Sequence, residues 1–82
     1  MTREKVGRII DYSKDLGLAL TISFTENARQ QTEFINFNDE SFNDTWIDND
    51  DDLVFYDEIN KRWIFINIAR INWIKIHEKD IF

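Results

Sequence analysis

From Leu16 to Thr25 the chain alternates strictly, with Leu16, Leu18, Leu20, Ile22 and Phe24 on one parity and Gly17, Ala19, Thr21, Ser23 and Thr25 on the other. In an extended chain successive side chains point to opposite faces, so this stretch predicts a strand with one buried face. Upstream, Val6 to Tyr12 is rich in β-branched and aromatic residues and reads as a preceding strand, joined through a hairpin turn at Ser13-Lys14-Asp15. Downstream, polar Glu26 to Gln31 leads to a third strand, Thr32 to Phe37. Adjacency makes the three a meander.

In the second half, Leu53 to Tyr56 is a short apolar run, Asp57 to Lys61 a polar turn, and Arg62 to Ile68 a strand with Ile64, Ile66 and Ile68 on one face. Ala69-Arg70-Ile71-Asn72 holds neither Gly nor Pro and suits a single tight 3₁₀ turn. Trp73 to His77 then resumes alternation with Ile74 and Ile76 inward. Strand, 3₁₀ turn, strand is how small SH3-like barrels often close, an analogy of architecture that carries no function.

The segment between these halves is long for a structureless loop in a small domain. Asn38 can cap, Asp39 and Glu40 suit the first turn of a helix and its dipole, and Phe42 and Trp46 are four apart and so share a helical face. A short helix near 39–47, packed through Phe42 and Trp46, followed by an acidic turn at 48–52, is the expectation. The predicted fold is mostly β, five or six antiparallel strands in a small SH3-like barrel with that one inserted helix, as a single domain over 1–82. A two-layer sheet with a helix across one face is the alternative.

Composition supports a single core without staples. A chain of 82 residues buries a small share of its surface, so its core must be rich in large side chains, and twelve aromatics and thirteen isoleucines supply them. The absence of Cys removes disulfides, thiolate nucleophiles and sulfur-ligated zinc together. Charges interrupt MTREKVGRIIDYSKD before a signal-peptide core can form, and no apolar run reaches membrane-spanning length, so a cytoplasmic location without a membrane role is expected. Abundant Ile, Asn, Lys, Asp and Phe is what an AT-rich coding sequence produces, pointing to a low-GC bacterium, its phage or a mobile element.

The net charge of −6 is not spread evenly. Residues 38 to 52 hold seven acids and no base, whereas the rest holds nine acids and ten bases, so one segment carries the whole negative excess. Asp48, Asp50 and Asp52 have the opening 1, 3, 5 spacing of an EF-hand loop, but the sixth position is Leu53 in place of Gly and the twelfth is Ile59 in place of Glu. No metal site and no cofactor is expected. His77 is the only histidine and stands beside Glu78 with no nucleophile to serve, and no phosphate loop or nucleophile elbow is present. The chain reads as a non-enzyme.

Carboxylates on a rigid scaffold can occupy sites that a protein keeps for phosphates, which is how small acidic proteins of phages and mobile elements disable DNA-binding enzymes; this chain is like them in size and acidity. The favoured reading is therefore a small acidic protein-interaction module that binds a basic, nucleic-acid-handling protein through the segment 39–52. Asp44, Asp48, Asp50, Asp51 and Asp52 provide charge, and Trp46, with Trp63 and Trp73, provides the apolar anchor that screened charge alone lacks. Trp63, Phe65 and Trp73 lie on strand faces opposite the isoleucines, so they either form a second small core with Phe42 and Trp46 or an exposed patch. Two competing readings are a nucleic-acid-binding barrel in which Trp63, Trp73, Arg62, Arg70 and Lys75 carry binding, with Lys79 near them in sequence, which the acidity opposes, and a structural homodimer joined through the aromatic face.

Overall fold

In the computed structural model, which describes residues 1–78, the chain begins with a helix, α1 (Arg3–Leu16). Thr2 caps it, its side chain accepting from the backbone N–H of Lys5, and Glu4 sits in the positive first turn. Gly17 ends it at φ 63°, with the N–H of Gly17 donating to the Lys14 carbonyl and that of Leu18 to the Ser13 carbonyl. Val6, Ile10 and Ser13, spaced by four and three residues, are the buried stripe. The strand expected over Val6 to Tyr12 and the hairpin turn at Ser13 to Asp15 are thus both replaced by this helix. A Cβ at Gly17 would meet Asn38 Oδ1 only at 3.8 Å, so the conformation alone restricts this position. Gly17→Ala is accordingly expected to lower stability by about 1 kcal/mol, and Gly17→Asn by less, as urea denaturation will show.

Six strands follow among the described residues: β1 (Ala19–Glu26), β2 (Arg29–Asn36), β3 (Trp46–Ile47), β4 (Asp52–Asp57), β5 (Arg62–Asn67) and β6 (Ile71–His77). All pair antiparallel, in two three-stranded sheets ordered β2-β1-β6 and β3-β4-β5. The architecture is mixed α/β, and the two sheets do not join into the SH3-like barrel that the strand order suggested. The helix expected near 39–47 is also absent. Its place is taken by one 3₁₀ turn, Glu40–Phe42, capped by Asp39, and then by the extended residues of β3. The 3₁₀ turn expected between the last two strands is present at Ile68–Arg70, where the Asn67 side chain accepts from the Ala69 N–H.

The inner faces of the two sheets share one core. Leu20, Ile22 and Phe24 of β1 lie opposite Ile76, Ile74 and Ile71 of β6, while Leu53 and Phe55 of β4 lie opposite Ile66 and Ile64 of β5. Val6 and Ile10 of α1 and Phe37 complete it, with Phe42 packed at its margin. Each fully buried large side chain is worth roughly 1.5–3 kcal/mol before chain entropy is subtracted.

Candidate functional site

The outer face of the second sheet is where the expected site residues meet. Antiparallel register puts Trp46, Val54 and Phe65 in one row across β3, β4 and β5, Tyr56 and Trp63 in the next, and Asp52 and Asn67 in the row before. Trp46 and Trp63 touch edge to face with ring centroids 5.7 Å apart, and Tyr56 meets Trp63 at 5.2 Å. Such contacts add about 0.5–1.5 kcal/mol beyond area burial. Val54, although it points outward, is only 1% exposed, because these rings roof it. The roof is open to solvent on top: Trp46, Trp63 and Phe65 remain 46%, 48% and 61% exposed. The rings thus leave an exposed apolar patch, whereas the second core expected with Phe42 and Trp73 does not form: Phe42 packs at the margin of the main core and Trp73 belongs to the other sheet.

The acidic turn is built at one end of this face. Asp48 folds its carboxylate back onto the chain, accepting from the N–H groups of Asp50 and Asp52 at 2.9 and 3.0 Å. Asp51 adopts a left-handed φ of 60°, and its carbonyl accepts from the N–H of Ile68. Asn67 donates to the Asp50 carbonyl and to Asp52 Oδ1. Arg3 reaches across from α1 to Asp51 Oδ1 at 2.8 Å and to the carbonyls of Ile47 and Asp48. Among the described residues, no group of three or more acidic or histidine side chains is arranged to hold a metal ion.

The eight expected site residues therefore divide. Trp46 and Trp63 share one patch, with Asp52 on the same face about 7 Å along β4 from Val54. Asp48, Asp51 and Asp52 are engaged in the turn, whereas the side chains of Asp44 and Asp50 have no hydrogen bond or ion pair among the described residues. Trp73 stands apart, on the outer face of the first sheet opposite Ser23. His77 shares that face, its Nε2 2.7 Å from Thr21 Oγ1. Of the basic residues in the nucleic-acid reading, Arg62 is tied to Asp57 and Glu33 at 3.2 and 3.4 Å, and Lys79 lies outside the described residues.

Two features went unforeseen. Tyr56 belongs to the cluster, a place foreshadowed by its parity with Val54 and against Leu53 and Phe55. Glu33, on the same parity of β2 as buried Ile35, turns its carboxylate to the inner side, opposite Ile22. Burial pushes the Glu33 carboxyl above its ordinary range; the Arg62 guanidinium opposes this and the Asp57 charge adds to it. Asp57 is held below the usual range, chiefly by the Asn60 side-chain amide, with help from Arg62 and neighbouring backbone N–H groups. The chain matches no known protein family, no curated protein and no solved structure.

Proposed function

We propose that this chain is a small acidic protein-interaction module that binds the basic surface of a nucleic-acid-handling protein. The observation that carries the reading is the aromatic patch of Trp46, Tyr56, Trp63 and Phe65 on an outward sheet face with an ordered acidic turn at its end. Trp and Tyr are the commonest anchors of protein interfaces, and a contiguous exposed apolar patch is costly unless a partner covers it. The carboxylates beside it steer a cationic partner and occupy ground the partner keeps for phosphates. Because backbone N–H groups, Asn67 and Arg3 hold the turn in shape, little ordering entropy is lost on binding.

The test is capture of a partner from nuclease-treated bacterial lysate on the tagged protein, identification of that partner, and titration of the purified pair. Asp44→Asn combined with Asp50→Asn removes two charges without touching a structural contact. This double variant is expected to weaken binding roughly three- to tenfold, mostly through the association rate, and the deficit should shrink at high salt. Retention of nucleic acid alone, or a partner indifferent to both charges and to salt, would overturn the reading.

A further inference from the structure

Where the two sheets fail to join, between the β2 edge, the 3₁₀ turn at Glu40–Phe42 and the β4–β5 turn, the surface opens into a cleft of about 360 Å³. That is within the size range of sites that take a small ligand or one large side chain. Its apolar lining comes from Phe34, Phe42 and Ile59, with Phe55, only 1% exposed, at its base. Its polar lining includes the acidic residues Glu33, Asp39, Asp57 and Glu58, and no lysine or arginine among the described residues, although Arg62 bonds two of these acids, Glu33 and Asp57.

Three further observations define the chemistry of an occupant. Glu33 lies on the core-facing side of its strand with, among the described residues, a single long ionic contact, to Arg62, and the cost of its burial exceeds what that partner returns. Ser41 lines the same cleft, and its hydroxyl oxygen, screened from solvent, has no hydrogen-bond partner among the described residues. Finally, Glu33 and Asp57 already hold one guanidinium between them, that of Arg62, which shows the spacing these carboxylates accept. A planar cation with several donors and faces that stack on aromatic rings satisfies carboxylate, hydroxyl and phenyl walls together, as a compact ammonium does not.

We propose that this cleft is a binding site for an arginine side chain presented by a polypeptide. The polypeptide context follows from charge, since the acidic rim repels the α-carboxylate of free arginine. The site is separate from the aromatic patch, and it extends the reading of this chain as a binder of basic proteins to a second point of contact.

The test is an NMR titration of the full chain with Nα-acetylarginine amide, with free arginine and the neutral isostere Nα-acetylcitrulline amide as comparisons. Saturable shifts at the amides of Glu33, Ser41, Phe42 and Ile59 are expected, at least about tenfold weaker for citrulline and weaker for free arginine. Glu33→Gln should abolish them and Glu58→Gln should weaken them, whereas Asp50→Asn should leave them unchanged. Folding does not confound the first variant. Glu33 has its pKa raised in the fold from 4.5, so its ionised form detracts from stability, and stability is lost as pH rises from 4.5 through the folded value. Glu33→Gln should therefore unfold at or above the wild-type midpoint at pH 7, with the difference closing below pH 4.5. Shifts that do not saturate, equal binding of citrulline or of free arginine, or binding untouched by Glu33→Gln would overturn the proposal. Because the probe reads the cleft without any partner, failure here leaves the capture result standing, and failed capture leaves the titration standing.

Discussion

Phe55→Ala should lower the unfolding free energy by about 3–5 kcal/mol, against a total of about 5–15 kcal/mol for a domain of this kind. Phe55 is 1% exposed at the centre of β4, opposite Ile64 across the pair, and it also walls the cleft. It thus stands where the inner face of the second sheet meets the seam between the sheets. Removing the ring loses its transfer free energy and leaves a void that two separate sheets cannot close by moving together without straining their hairpins. Phe55→Leu keeps most of the volume and should cost less than about 1.5 kcal/mol. Urea denaturation of both variants checks this. A loss below about 1 kcal/mol for the alanine variant would mean that the sheets do not share the core described above.

Trp63→Ala should do the reverse, sparing the fold and damaging recognition. Trp63 is half exposed and touches Trp46 on one side and Tyr56 on the other, so truncation removes two edge-to-face contacts worth roughly 0.5–1.5 kcal/mol each while leaving the inner face intact. Partner affinity should fall about 30-fold or more, the loss of roughly 2 kcal/mol that marks an interface anchor. Trp73→Ala, on the outer face of the other sheet, should leave that affinity within about twofold. Titration of the captured partner against both variants, beside their melting curves, separates the outcomes. If Trp63→Ala unfolded the chain outright, the aromatic face would be core and its role as a binding surface would be withdrawn.

How much of this was legible in the chain depends on the element. The alternation from Leu18 to Phe24 placed β1 on the correct parity, and the isoleucines of Arg62–Asn67 did the same for β5, because a half-buried strand writes its period directly into its residues. α1 was hidden. Its buried stripe is Val6, Ile10 and Ser13, and a serine on the apolar face breaks a pattern that Ile9, Ile10 and Tyr12 already make look β-like. The end signals were nonetheless there: Thr2 ahead of Glu4, Lys14 in the last turn and Gly17 just beyond it.

Phe42 and Trp46 misled in the other direction. Their four-residue spacing suits one helical face, but Phe42 packs at the core margin and Trp46 on the far side of the sheet, with buried Thr45 between them donating its hydroxyl to the Phe42 carbonyl. The acid-rich stretch was conspicuous as charge, yet its shape rests on partners distant in sequence, Arg3 and Asn67, that no local pattern connects to it. The cleft followed from the separation of the sheets, a tertiary outcome. Only Glu33, charged and on the parity of Ile35, hinted at it.

The side chains of α1 that meet β3 do more than fasten a helix. Arg3 donates to the carbonyls of Ile47 and Asp48, and Lys14 to that of Thr45, so the outward acceptors of this edge are already taken. An open edge is a template on which a foreign strand, or a strand from another copy, can polymerise. Here two cations from a neighbouring helix cover the carbonyls of the β3 edge, so the protein displays an apolar sheet face for recognition with one of that sheet's two edges withdrawn from strand addition.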